Sequence, residues 1–209
     1  MSLKTQYSCD KSVFEIGVDE SGRGPLFGRV YVSAVILPKD ENFDFSKIKD
    51  SKKFSSKKKI KEVADYIKEN SLYWTVQYED ENVIDNINIL QATQQCMHKC
   101  IDKIYPNIEG KNSMLLVDGN YFIPYNGIPS VCIEGGDNEY ACIAAASILA
   151  KTYRDDYMKM IGADFPKYNW EKNKGYPTSD HKKAIENFGV SIHHRNSFKL
   201  LNQQLNIKI

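Results

Sequence analysis

The spacing of apolar positions predicts strands in the first third of the chain and helices in the last. Val13–Asp19 reads as a strand that runs into a glycine-containing turn, SGRGP. Val30–Leu37 is a second, β-branched apolar run, stopped by Pro38. So short a separation suits an antiparallel hairpin. Ser55 or Ser56 is placed to cap a helix reaching about Lys68, and Leu72–Tyr78 alternates as a third strand. Over Asn82–Ile104, Val83, Ile87, Leu90, Met97, Ile101 and Ile104 recur at helical spacing, and Pro106 closes the run. Met114–Val117 and Val131–Ile133 are short strands, followed by Asp118-Gly119 and Gly135-Gly136-Asp137. Glu139–Met160 predicts a long helix whose centre, CIAAASILA, consists of small residues that permit close backbone packing. Ala163–Pro177 reads as an irregular loop, Thr178–Phe188 as a helix and Ser197–Leu205 as a last helix. The order predicts an α/β fold with a mixed sheet and a helical C-terminal part.

Composition narrows this picture. The 209 residues carry the apolar and charged fractions of an ordinary globular protein. The longest apolar run, around Ile143–Ala150, is too short to span a bilayer, and MSLKTQYSCD has no apolar signal core. The expectation is a cytoplasmic, monomeric protein with no membrane association. Five cysteines at irregular spacing argue for a reducing compartment rather than a disulfide framework. Cys96, His98 and Cys100 invite a metal reading. Only Cys96 and Cys100 share a helix face, however, and they read as ordinary helix residues. Net charge is +1, but Lys47, Lys49, Lys52, Lys53, Lys57, Lys58, Lys59 and Lys61 crowd one region. That run is either a solvated helix start or a phosphate-contacting patch.

Carboxylates at strand ends carry the candidate chemistry. Asp19-Glu20 follows one strand, Asp118 ends another, and Asp137 lies between a strand and a helix. Chemistry in α/β sheets gathers outside strand ends. If these ends lie side by side, four carboxylates converge, and their mutual repulsion calls for hard divalent cations such as Mg²⁺ or Mn²⁺. Two such ions suit phosphodiester hydrolysis. No G-x-x-x-x-G-K-[ST] loop supports a nucleotide hydrolase. Each acid also has a plainer reading: Asp19-Glu20 as a solvated turn, Asp118-Gly119 as a tight turn, Asp137 as a helix cap.

The segment GVDESGRGPLFGRVYVSAVIL closely resembles the N-terminal signature of ribonuclease HII. KIKDSKKFSSKKK, IDNINILQATQQCM, LLVDGN, GGDNEYACIAAASILAKTYRD, NKGYPTSDH and HRNSF continue the likeness in order, over about residues 13–198. The resemblance implies a ribonuclease H-like mixed sheet flanked by helices. Residues 1–160 would form the catalytic domain and 161–209 a helical region packed on it. It implies cleavage of RNA in RNA–DNA hybrids and incision 5′ of ribonucleotides embedded in duplex DNA, with 3′-hydroxyl and 5′-phosphate products. The roles that follow are removal of ribonucleotides and of RNA primers. Asp19, Glu20, Asp118 and Asp137 would bind two metal ions. Gly22, Arg23 and Gly24 would read the ribonucleotide, and Tyr176 would pack on the sugar at the RNA–DNA junction. Lys52, Lys53, Ser147 and Lys151 are further candidates for nucleic-acid contact. Arg23 favours this family over its sister, ribonuclease HIII, which usually has lysine there.

Physical chemistry agrees with the carry-over. Telling RNA from DNA means sensing a 2′-hydroxyl, and glycines let a backbone approach it closely. Three positions depart from the pattern: Phe27 for a small residue, Arg29 for the usual proline, and Asn196 for a basic residue. They bear on the substrate channel rather than on the carboxylates. The chain stops soon after HRNSF, so a C-terminal extension for clamp binding is expected to be absent or minimal. Two alternatives stand beside the main reading: ribonuclease HIII-like activity restricted to longer RNA tracts, and a hybrid-binding module with weak catalysis.

Overall fold

The computed structural model describes residues 2–40, 43–48 and 57–200. Strand β1 (Phe14–Ser21) is flanked by β2 (Val30–Ile36) on one side and β4 (Ser113–Asp118) on the other. With β3 (Tyr73–Glu79) and β5 (Ser130–Ile133) at the edges, the order is β3-β2-β1-β4-β5. β1 and β2 form the expected antiparallel hairpin, with Asp19 opposite Ser33. β3 continues antiparallel, whereas β4 and β5 join in parallel, which makes the sheet mixed.

Every residue of β2 is buried, so its apolar run is the signature of a strand covered on both faces. Helix α2 (Glu81–Ile104) covers one face, setting Cys96, Met97, Cys100 and Ile101 against Ile16, Val18, Val32, Ala34 and Val117. Helix α3 (Ala141–Asp164) and helix α1 (Lys57–Asn70) cover the other. Asp80 caps α2 by accepting from the Val83 amide, and Asn88 interrupts it at φ 64°. The proposed caps of α1, Ser55 and Ser56, lie outside the described residues.

The small residues of α3 have a specific use. A methyl group on Gly17 of β1 would lie 2.2 Å from the Cys142 carbonyl carbon, so helix and strand pack backbone to backbone. Any side chain at Gly17 would prop them apart.

Two C-terminal expectations fail. The segment 163–177 is not an irregular loop: it holds a 3₁₀ turn at Pro166–Tyr168 and a short helix, α4 (Trp170–Asn173). Aromatic stacking organises it, with Trp170 3.5 Å from the Phe27 ring and 4.6 Å from the Tyr168 ring, centroid to centroid. Phe27 is thereby accounted for as a fully buried partner of Trp170. Helix α5 (Ser179–Phe188), capped by Thr178, completes this third core together with Leu26, Tyr157 and Met158. Residues 197–200 are not helical, because the Ser197 amide and hydroxyl are both bound to Asp85 of α2; the rest of that expected helix lies outside the described residues. Among the described residues no helix is long and apolar enough to cross a membrane.

Candidate active site

Parallel pairing of β1 with β4 sets the site. Val18 pairs with Val117, so the next residues, Asp19 and Asp118, stand side by side where the parallel ladder ends. β5 pairs with β4 up to Asp118–Ile133, and the chain then turns through Gly135, at φ 67°, into a 3₁₀ turn carrying Asp137. Asp137 does not cap α3: its N-cap is Tyr140, with no side-chain hydrogen bond.

Asp19 is only 3 % exposed. It accepts from the Glu20 amide at 2.6 Å, and the nearby Ser147 hydroxyl favours its charged form. Burial, then the charges of Glu20 and Asp118, raise its pKa well above the ordinary aspartate value. Burial and Asp118 likewise raise Glu20, against the opposing pull of Arg23, whose Nη1 is 3.4 Å from Oε1. Asp118 is raised by burial and by Asp137. The Gly136 and Asp137 amides lower it in part, while its Oδ1 is buried and makes no hydrogen bond. Asp137 accepts from Asn138 at 2.7 Å and has Lys151 Nζ 3.7 Å from its other oxygen. Lys151 in turn donates to Ser147 at 2.7 Å.

The four predicted carboxylates are therefore electrostatic neighbours. Among the described residues, however, no three acidic, histidine or cysteine side chains are drawn close enough to hold one ion as they stand. Three of the four acids have a local partner of their own: Ser147 for Asp19, Arg23 for Glu20, Lys151 for Asp137. The donor set still fits a hard divalent cation. It is all oxygen, its members repel one another, and it includes an orphaned buried carboxylate oxygen. Ser147 has no exposed surface and accepts from Lys151 on the inner side of the site. Small size at the close β1–α3 contact is what places it there. Lys52 and Lys53 lie outside the described residues.

The turn after β1 supplies a second surface. Arg23 and Gly24 are exposed, and Gly22 is buried at φ 100°. A methyl on Gly22 would sit 2.3 Å from Nε of the buried Arg154, so glycine makes room for that guanidinium. Tyr176, 46 % exposed, stands over Gly24, where an added methyl would be 3.6 Å from its ring. Arg29 points elsewhere, lying 4.0 Å over the Tyr78 ring and 4.6 Å over that of Tyr157.

The ribonuclease HII family model matches residues 16–201. The chain belongs to the ribonuclease HII family. Ribonuclease HII of Porphyromonas gingivalis is 47% identical over 190 residues, 91% of each chain. That of Bacteroides thetaiotaomicron is 44% identical over 199 residues, covering 95% of this chain and 96% of the relative. Among solved structures, the ribonuclease HII of the PCNA complex from Archaeoglobus fulgidus superposes with a TM-score of 0.74 at 23% identity, covering 92% of this chain and 98% of that one. A Bst-RNase HIII in complex with Mn²⁺ gives 0.71 at 17% identity, covering 90% and 68%. At those identities the structures establish a shared ribonuclease H fold.

The structure also shows buried groups that the sequence patterns did not single out. Arg154, His181, His194 and Arg195 were read only as letters within motifs, yet all four side chains are buried beneath the Gly22–Gly24 turn and Tyr176. The one available signal was a basic or histidine residue inside a motif that no predicted face could expose.

Proposed function

We propose that this chain is an Mg²⁺- or Mn²⁺-dependent endonuclease that cuts RNA in RNA–DNA hybrids. It also incises 5′ of ribonucleotides embedded in duplex DNA, leaving 3′-hydroxyl and 5′-phosphate ends. The observation that carries this reading is the juxtaposition of Asp19 and Asp118 at parallel strand ends, with an orphaned oxygen on Asp118, beside an exposed glycine turn roofed by a tyrosine. Asp19, Glu20, Asp118 and Asp137 would hold the cations, which supply charge compensation for in-line displacement at phosphorus.

The remaining work falls to the chain itself. Ser147 orients Asp19, and Lys151 tempers the charge of Asp137. Gly22, Arg23 and Gly24 bring main-chain groups to the 2′-hydroxyl, Arg23 offers its fork to a phosphate, and the Tyr176 ring supports the sugar at the junction. Lys52 and Lys53 add phosphate contacts. Removal of misincorporated ribonucleotides and of RNA primers is the corresponding cellular task.

The test is a labelled duplex with a single ribonucleotide beside a continuous RNA–DNA hybrid, each with Mg²⁺, Mn²⁺ or EDTA. Both substrates are cut, only with metal, and Asp118→Asn lowers the rate by at least about 10²-fold, as expected when a transition-state charge stabiliser is lost. Undiminished cleavage by Asp118→Asn, or cleavage in EDTA, refutes the proposal.

A further inference from the structure

Arg195 has no exposed surface, yet among the described residues its guanidinium is hydrogen-bonded to no carboxylate. It donates instead to four main-chain carbonyls of one turn. Nε bonds Gly28 O at 2.7 Å, Nη1 bonds Arg23 O at 3.0 Å and Pro25 O at 2.8 Å, and Nη2 bonds Gly22 O at 2.7 Å. Its own amide donates to Leu26 O at 2.9 Å. All these peptides are trans, so an inward carbonyl forces the next residue's N–H outward. With the Gly22 and Arg23 carbonyls drawn to Arg195, the amides of Arg23 and Gly24 face the opposite, exposed side of the turn. Arg195 thus determines which main-chain groups the turn presents.

The preceding residue fixes the roof. His194 Nδ1 accepts from the Ser191 amide at 2.8 Å, which leaves its proton on Nε2, 3.3 Å from His181 Nε2. Trp170 Nε1 also donates to His181 Nε2, at 2.9 Å, so that nitrogen is an acceptor. The His181 proton then lies on Nδ1 and is donated to the Tyr176 carbonyl at 3.0 Å. This tautomer assignment follows from the hydrogen-bond network. Helix α2 holds both flanks of the pair, through Glu81 to His193 and through Asp85 to the amides of Asn196 and Ser197.

We propose that His194 and Arg195 are the positioning residues for ribonucleotide recognition. Arg195 aims the peptide groups of residues 22–25, and His194, acting through His181, sets Tyr176 above them. The distance between turn and tyrosine is therefore defined by two adjacent buried side chains that never meet the substrate. This inference rests on the proposed function, in which turn and tyrosine read the ribonucleotide.

The experiment compares kcat/KM on a single-ribonucleotide duplex and on a continuous hybrid for wild type, Arg195→Lys, Arg195→Ala with and without guanidinium ion, and Asp85→Ala. On a single ribonucleotide one register of the turn must fit, whereas a continuous hybrid offers many. Arg195→Lys, with three donors on a flexible stem, lowers kcat/KM on the single-ribonucleotide duplex by about 10²-fold, the scale of a 1 Å misplacement, and on the hybrid by far less. Guanidinium ion restores selectivity to Arg195→Ala, and the Mg²⁺-induced thermal shift stays at its wild-type value in every variant. Equal losses on both substrates, or no rescue by guanidinium, overturn the inference. If the Arg195 variants do not fold, Asp85→Ala decides: lost selectivity supports the clamp and wild-type selectivity refutes it. A wild-type chain that cuts neither substrate sinks the proposed function instead, before any variant is compared.

Discussion

Gly17→Ala is the most direct probe of how the fold builds the site. The added methyl lies 2.2 Å from the Cys142 carbonyl carbon, 2.3 Å from its oxygen and 2.5 Å from the Ile143 nitrogen. Carbon–carbon contacts settle near 3.5–4.0 Å, so α3 must retreat from β1 by about 1.3 Å. Overpacking costs about 1–3 kcal/mol; because every colliding atom is main chain and none can rotate away, about 3 kcal/mol is expected here. For a chain of this length that lowers Tm by about 6–12 °C. The same retreat carries Ser147 and Lys151, one and two turns further along α3, away from Asp19 and Asp137. Misplacement on this scale costs about 10²-fold in rate. Gly119→Ala is the control: its φ of 100° is strained for alanine, but no atom lies within 4 Å of the added methyl. Its cost is about 1–2 kcal/mol of backbone strain. Thermal unfolding by circular dichroism and Mg²⁺-dependent hybrid cleavage, on both variants, check the argument. A Gly17→Ala protein with Tm within about 2 °C of wild type and unaltered cleavage refutes it.

Two further outcomes follow from the same packing. Asp19, Glu20 and Asp118 have folded pKa values above their ordinary ones, so the cluster stabilises the protonated fold; its contribution is full below about 3.8 and is lost as pH rises through the raised values. Asp118→Asn accordingly raises the metal-free Tm at pH 7 relative to wild type, narrows that difference toward pH 4, and weakens the stabilisation by Mg²⁺, all readable by unfolding scans with EDTA or Mg²⁺. Of the five cysteines, Cys9 and Cys132 are exposed, while Cys96, Cys100 and Cys142 are buried, with the Cys96 and Cys142 thiols pushed up to about 12. A thiol reagent therefore titrates two groups quickly in the native protein and five in denaturant; a third fast group contradicts the packing of α2 and α3 against the sheet.

The strands and long helices were legible because their periodicity is local. β2 showed itself as a continuous β-branched run, and α2 as a repeat from Val83 to Ile104. The carboxylates were legible as strand-end residues, but their adjacency depends on β1 pairing with β4 across nearly a hundred intervening residues, which no local pattern encodes. The C-terminal region was misread for a related reason. Trp170 and Tyr168 pack on Phe27, and Ser197 binds Asp85, so what organises those residues lies far away in the chain. Arg195 was least legible of all: an arginine reads as a surface charge until its four carbonyl partners are seen.

That clamp also constrains the order of biosynthesis. The carbonyls bound by Arg195 precede it by 167 to 173 residues. On the ribosome the hairpin of β1 and β2 emerges early and closes locally, but its connecting turn is without its guanidinium until residue 195 has been released. Chain order thus delays completion of the turn until almost all of the described structure has been made. A nascent chain that already displays Asp19 and Asp118 still lacks the guanidinium that binds the turn after β1, so that turn takes its final shape late.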